Sequence, residues 1–330
     1  MYCTPWEIPR AMIETVDIQS AKDPQAYVID DRIQEKMTEI KNNVSIYKIR
    51  RGADAWHDAV SAIDRPIQTH PPTFQPASRA YNKLIEIVRT CALNEPARSF
   101  HMCEAPGGFA HATVTEFTTT RAIVMSLDAT HAPAFSNIVK RHDRIRLMRN
   151  LPFCGDICNV NAREHISEQV GRVDLITADG AFDNDSRPHI TEAISATLVM
   201  SQIDLAIRTQ AVGGAFILKI FGMARPVTLE MVALLTTLYN EVFILKPSTS
   251  KSVNDERYIV CNDFIRPIDL KLPHMDQFLY KVCTISGTSW IDRVKSITKI
   301  LDQAQLDALR LALRYKPNSA TGSFKRKSFH

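Results

Sequence analysis

The run His101-Met102-Cys103-Glu104-Ala105-Pro106-Gly107-Gly108-Phe109 follows a short apolar stretch and opens a helical pattern. Glycines at a strand-to-helix junction let backbone approach a ligand closely, and a helix N-terminus offers unpaired N–H groups. The run is not the dinucleotide fingerprint, because the third glycine is missing, and no Gly-Lys-Ser/Thr follows to make a phosphate loop. Taken alone, a Gly-Gly pair is more often an ordinary turn. Lys219 lies inside the apolar run Gly213-Gly214-Ala215-Phe216-Ile217-Leu218-Lys219-Ile220-Phe221. An ammonium carried to the rim of an apolar sheet is costly unless paired, so acidic groups are expected beside it.

The elements that must position these groups are legible from periodicity. Helical spacing covers Asp31 to Lys48 and Asp54 to Ile63, and Pro66, Pro71, Pro72 and Pro76 then break regular structure. From Ala77 strands and helices alternate. Helices are expected over Ser78 to Cys91, from the glycine turn to Phe117, over Ile190 to Arg208 and over Thr228 to Leu238. Strands are expected over Ser99 to Cys103, Ala122 to Leu127, Val173 to Ala178, Gly214 to Phe221, Val242 to Leu245 and Tyr258 to Cys261. The segment from about Pro273 reads as helical, with an amphipathic stretch from Ile291 to Tyr315 and a polar tail carrying Lys325, Arg326 and Lys327. These patterns divide the chain into a helical extension with a proline-rich linker (1–77), an α/β domain (78–272) and a C-terminal helical extension (273–330). Alternation of this kind implies an α/β fold, a mostly parallel sheet with helices on both faces.

Ligands of such sheets bind beyond the carboxyl ends of the strands, where Glu104, Asp128 and Asp179 are expected. Asp128 follows the glycine turn by about twenty residues, the distance at which an acidic residue meets ribose hydroxyls. An adenosine-containing ligand fits that placement. Asp156 could accept from an adenine amino group, although a lone loop aspartate more often caps a turn.

Bulk properties are permissive. The chain has 330 residues, 45% hydrophobic, enough for one large core. A net charge of +4 allows a nucleic-acid partner without demanding one. The 7 cysteines show no zinc or redox spacing, as expected of buried thiols in a reducing compartment. Met1 to Arg10 carries no apolar signal core and no apolar run is long enough to span a bilayer. A soluble intracellular protein, cytoplasmic or nuclear, without membrane contact is expected.

Glu104-Ala105-Pro106-Gly107-Gly108-Phe109 resembles motif I of the FtsJ/RrmJ-like ribose 2′-O-methyltransferase family, whose glycine turn reads Ala-Pro-Gly-Gly-aromatic. It is most similar to the viral and eukaryotic mRNA-cap branch. The resemblance implies a Rossmann-like S-adenosylmethionine-dependent methyltransferase sheet with helical N- and C-terminal extensions. It implies that Gly107, Gly108, Phe109, Asp128, Asp156 and Asp179 line the S-adenosylmethionine pocket. The stretch from Asp128 to Asp156 is longer than in bacterial members.

The family's Lys-Asp-Lys-Glu signature is matched in order by Lys83, Asp179, Lys219 and Glu256. Successive members from Asp179 onward are separated by roughly forty residues, one strand–helix–strand unit, so each can return to the same sheet end. Singly, Asp179 could cap a strand, and Lys83 and Glu256 could be solvated surface charges. The resemblance assigns Lys219 as general base for a ribose 2′-hydroxyl, its pKa lowered by burial and by Lys83, with Asp179 and Glu256 orienting the amines and opposing the shift. No metal is required by this chemistry. Arg79, Lys246, Lys251 and Arg257, with Arg225 beside them, are candidates to hold RNA phosphates, though each alone reads as a surface charge. Phe74, Tyr81 and Phe153 are candidates to stack on a methylated guanine.

The implied activity is mRNA cap (nucleoside-2′-O)-methylation of the first transcribed nucleotide, with capped mRNA as partner and room for other capping or transcription subunits. The alternatives are an rRNA or tRNA ribose 2′-O-methyltransferase, or a catalytically idle RNA-binding subunit of the same fold.

Overall fold

Alternation of apolar and polar positions decides which strand face meets which helix layer. The computed structural model describes residues 4–26, 31–64, 74–128, 132–181, 191–272 and 278–315. Its elements, in chain order, begin with strands β1 (Trp6–Glu7) and β2 (Ile13–Ala21) and helices α1 (Asp31–Arg51), α2 (Ala53–Asp64) and α3 (Ala80–Thr90). The alternating region continues through β3 (Arg98–Met102), α4 (Gly108–Glu116), β4 (Arg121–Val124), α5 (Asn137–Arg141), β5 (Ile145–Leu147), α6 (Val160–Val170), β6 (Val173–Ala178) and α7 (Thr191–Thr209). It closes with β7 (Gln210–Phe221), α8 (Pro226–Leu238), β8 (Tyr239–Leu245), β9 (Glu256–Phe264), β10 (Phe278–Ile285) and α9 (Ser289–Arg314).

The large sheet runs β1-β8-β9-β7-β6-β3-β4-β5. Strands β5, β4, β3, β6 and β7 are mutually parallel, whereas β9 is antiparallel to both β7 and β8, and β1 to β8. The chain reverses direction across the sheet between β3 and β6, which opens a crevice at their carboxyl ends. Because β9 runs against β7, its first residue lies at that same end.

Side-chain parity sorts the layers. Leu175, Ala215, Ile217, Tyr258 and Val260 pack against α3 and α4 through Tyr81, Leu84, Ile87, Phe109 and Ala112. Their strand neighbours Ile176, Phe216, Leu218, Ile259 and Cys261 face the other way, into the core shared with α6, α7 and α8. Lys219 has the parity of Ala215 and Ile217, so its stem lies on the α3–α4 face.

The terminal segments differ from the helical extensions expected. Residues 6–7 and 13–21 are strands, and so are 278–285; β1 extends the large sheet and β2 pairs with β10 in a second, two-stranded sheet. The β10 stretch Phe-Leu-Tyr-Lys-Val-Cys-Thr-Ile is rich in aromatic and β-branched residues, and that local propensity prevails over the helical reading of the segment. Helices α1, α2 and α9 bury Met37, Ile40, Val44, Trp56, Val60, Leu306 and Leu309 together with Val253 of the β8–β9 connection. The two termini therefore form one layer packed on the central domain. Most of the proline-rich linker and the Lys325-Arg326-Lys327 tail lie outside the described residues. Among the described residues no helix is long and apolar enough to cross a membrane.

Candidate active site

Two lysines and two carboxylates meet at the carboxyl ends of β6 and β7. Asp179 follows β6, and Lys219 stands near the end of β7, in register with Tyr258 of β9. The Lys219 Nζ lies 3.0 Å from Asp179 Oδ1 and donates to the Asp179 carbonyl at 2.5 Å. Glu256, the first residue of β9, holds Lys83 of α3 with its two oxygens 2.7 and 2.9 Å from Nζ. Two ion pairs thus stand side by side, one between strand ends and one from helix to strand, each drawing its partners from distant parts of the chain. Both are nearly buried, with side-chain exposures of 7% and 18% for Lys219 and Asp179, and 16% and 8% for Lys83 and Glu256.

The geometry shows neighbours that were not assigned from the sequence. Tyr258 Oη donates to Asp179 Oδ1 at 2.9 Å, while its ring packs on Phe109 and lies under the Lys83 ammonium. The signal was available: residues two apart on a strand share a face, so Tyr258 must accompany Glu256. Ser250 Oγ donates to Glu256 Oε1 at 2.7 Å. Glu86, one turn along α3 from Lys83, accepts from the Ser248 and Thr249 backbone at 2.6 and 2.9 Å. Helix α3 therefore fixes both Glu256 and the connection that leads to it.

The electrostatics correct one expectation. Burial alone would lower the Lys219 pKa, but the Asp179 and Glu256 carboxylates outweigh it, and the ammonium is held above the ordinary lysine value. Burial likewise works against ionised Glu256, yet the charges of Lys83 and Lys219 prevail and pull its pKa below the usual carboxylate range. With these four groups alone, Lys219 is a charged donor at neutral pH and not a free base.

At the glycine turn, Gly107 has φ +108°, and a side chain there would run into Val139. Gly108 is turned from the expected pocket toward α3: a Cβ would fall 2.2 Å from Ser78 Oγ and 2.9 Å from the Tyr81 nitrogen. Phe109 is fully buried in the core. The helix N-terminus is not free either, because the buried Glu104 carboxylate accepts from Ala110 N at 2.8 Å. Burial raises the Glu104 pKa to about 8 despite the backbone bonds from Ala110 and Phe109 that oppose it. Gly107, Gly108 and Phe109 can therefore meet a ligand only through backbone atoms.

Next to the turn, a cavity of about 300 Å³ opens at the ends of β4 and β5, lined by Ser126, Leu127, Asp128, Met148 and Leu151 among others. Asp128 is exposed on it, and its N–H ties the strand end to the Cys154 carbonyl at 2.8 Å. Asp156 is a turn residue: its Oδ1 accepts from Cys158 N at 2.9 Å, the bland alternative for a loop aspartate.

The candidates for RNA contact separate. Arg79 is exposed and Lys251 half-buried near the mouth of the site. Arg257 is buried and ion-paired with Asp255 and Asp302 on the opposite face of β9, so it faces no solvent groove. Lys246 turns its ammonium onto the Asn254 and Glu256 carbonyls at 2.5 and 3.1 Å, and burial lowers its pKa to about 8. Arg225 is buried at the start of α8 and donates to the Gln25 carbonyl. A charged side chain beside an apolar run reads as surface in one dimension; the fold gives these three internal partners. Tyr81 and Phe74 pack on each other and on His111, whereas Phe153 is exposed.

This arrangement has relatives. The family model for FtsJ-like methyltransferases matches residues 76–264, more than half of the chain and the whole of the site just described. The chain belongs to the FtsJ-like methyltransferase family. It is 28% identical over 277 residues to cap-specific mRNA (nucleoside-2′-O-)-methyltransferase 2 of Danio rerio, covering 73% of this chain and 36% of that protein. It is 24% identical over 238 residues to the cap-specific mRNA (nucleoside-2′-O-)-methyltransferase of Autographa californica nuclear polyhedrosis virus, covering 71% of this chain and 87% of that one. A solved structure described as a ribosomal RNA methyltransferase of Plasmodium falciparum aligns with a TM-score of 0.46 and 18% identity, over 58% of this chain and 99% of that one. The chain spans about a third of the length of the vertebrate cap-specific methyltransferase 2 relatives it matches. Strands β1, β2 and β10 and helices α1, α2 and α9 fall outside the family match.

Proposed function

We propose that this protein is an S-adenosylmethionine-dependent mRNA cap 2′-O-methyltransferase acting on the first transcribed nucleotide. The observation that carries the reading is the adjacency of the Lys219–Asp179 and Lys83–Glu256 pairs, at the same carboxyl edge of the sheet where the Asp128 cavity opens by β4 and β5. The cap-specific names of the animal and viral relatives support the choice of substrate.

The cavity suits a nucleoside. Leu127, Met148 and Leu151 offer apolar walls, and the Asp128 carboxylate is placed to accept from ribose hydroxyls. Asp179 and the backbone of the glycine turn would hold the amino-acid end of the donor. When bound there, S-adenosylmethionine supplies a methyl group on a sulfonium. The chain's own part is to place a ribose oxygen and to manage its proton. Lys219 holds the 2′-oxygen by a charge-assisted hydrogen bond, while Asp179, fixed by Tyr258, holds Lys219. Lys83 anchors Glu256 and adds positive charge to the site. Lys219 can accept the hydroxyl proton once a further cation near Nζ has offset the two carboxylates. Orientation of the oxygen supplies much of the remaining acceleration.

Transfer of labelled methyl groups to matched capped and uncapped RNA tests the reading, with nuclease mapping of the product. Labelling of the cap-proximal ribose on capped RNA is expected. Equal labelling of both RNAs, or methylation at internal riboses, would move the protein to a structural-RNA substrate.

A further inference from the structure

Helix α1 lies outside the family match, yet it packs against the segment that carries the tetrad's last member. Its Lys41, Val44 and Lys48 are spaced three and four apart and therefore line one face. Lys41 Nζ lies 3.8 Å from Asp255, and Val44 is buried with Val253, so this face looks onto the β8–β9 connection. At the end of the same stripe stands Lys48, half-buried, with Arg50 and Arg51 following in the last turn. Helix α2 is held to the same connection by Asp64, which accepts from Ser252 Oγ at 2.7 Å.

Positive groups from three elements consequently converge beside the tetrad: Lys48 of α1, Arg79 next to α3, and Lys251 of the connection. Lys251 feels all of them. Burial first, then the charges of Arg79, Lys48 and Lys83, lowers its pKa, with Asp64 opposing. Asp64, which also accepts from Ser252, sets one negative charge against these cations. Like charges brought together and half-desolvated are unfavourable unless an anion lies across them. A row of phosphates provides one.

We propose that Lys48, Lys251 and Arg79 form a phosphate-binding seam that carries the RNA backbone past the tetrad, with α1 supplying one wall. This rests on the RNA methyltransferase reading and extends its substrate contacts to a helix beyond the matched region. Arg79 and Lys251 flank Lys83 and Glu256, so backbone held there would pass a ribose by Lys219.

The test is equilibrium binding of a short, fluorescent, uncapped single-stranded RNA to the full chain across a salt series. The variants are Lys48→Glu, Lys48→Gln and Lys251→Gln. Lys36→Glu serves as the control: the same charge change, on the same helix, at an exposed position off the stripe. Each loss at the seam should weaken binding and make the slope of log affinity against log salt shallower by about 0.7 per lost phosphate contact. Affinity for S-adenosylhomocysteine and the unfolding midpoint should stay at wild-type values in Lys48→Gln. Wild-type salt slopes in both Lys48 variants overturn the seam. So does an equal loss in Lys36→Glu, which would reveal a general field effect. Uncapped RNA and a binding readout keep the outcome separate from the catalytic reading. A wild-type protein that binds RNA through Lys48 but transfers no methyl group would overturn the proposed function and leave the seam standing.

Discussion

Arg257 and Asp302 form a buried ion pair on the face of β9 opposite Glu256. Strand alternation sends Glu256 toward α3 and Arg257 toward α9. The pair therefore pins the start of β9 from behind, while Lys83 pins it from the front. Removing one partner strands a desolvated guanidinium. Asp302→Ala should cost about 3 kcal/mol of stability, while Arg257→Met with Asp302→Leu, leaving no orphan charge, should cost less than the single change. Urea unfolding of the three proteins measures this. A single variant as stable as wild type would show that Asp255 alone satisfies the guanidinium.

The central domain was legible because its apolar runs are long and its turns carry glycine or an acidic residue. Asp179 and Lys219 stand near strand ends where the pattern placed them, whereas β4 stops at Val124 and Asp128 follows in the loop beyond it. What local pattern could not show was direction. Gly108 reads as ligand-facing from its motif, yet only the packing of α3 decides which side its missing Cβ occupies. Arg257 and Lys246 look like surface charges because their partners, Asp302 and the Asn254 carbonyl, come from contacts that sequence spacing does not encode. Strands β2 and β10 escaped because they pair with each other across most of the chain, and neither carries a long apolar alternation.

The orientation of Gly108 changes what its replacement should do. A Cβ at 2.2 Å from Ser78 Oγ and 2.9 Å from backbone of α3 cannot be accommodated without moving that helix. Gly108→Ala should lose about 1–3 kcal/mol by overpacking, and by displacing Lys83 it should depress turnover more than donor affinity. Denaturant titration and calorimetry with S-adenosylhomocysteine separate the two effects. Full stability with abolished donor binding would place the Cβ toward the donor instead.

Glu104 makes stability depend on pH. Its carboxyl is raised to about 8 by burial, so the folded chain keeps a proton that the unfolded chain releases near pH 4.5. Between those values the unfolded state binds fewer protons, and this group's contribution to stability falls as pH rises, at about 1.4 kcal/mol per unit. Above about 8 both states are ionised and the loss levels off. Glu104→Gln keeps an acceptor for Ala110 N and has no proton to lose, so it should flatten that part of the profile. Unfolding midpoints from pH 5 to pH 9, roughly spanning this window, provide the check; parallel profiles for the two proteins would show that the helix N-terminus keeps Glu104 ionised.

The titration of Lys219 should depend on the charge of what is bound. Asp179 and Glu256 hold its pKa above the ordinary lysine value, so the free protein carries an ammonium there throughout the neutral range. Bringing another cation close opposes those carboxylates and lowers the pKa, whereas a neutral ligand of the same shape does not. S-adenosylmethionine and S-adenosylhomocysteine differ in that respect, sulfonium against thioether. Lysine side-chain NMR, with Lys219→Arg to assign the signal, should show a downward shift with the former and little change with the latter. Glu256→Gln should lower the pKa of the free protein in the same direction, because one of the raising charges is gone. Single-turnover rates should then rise with pH through the value measured with the sulfonium bound, and Lys219→Arg should be inactive, since guanidinium does not deprotonate in this range. Identical titrations with both ligands would mean that the sulfonium lies far from Nζ, and that Lys219 serves only to hold the 2′-oxygen.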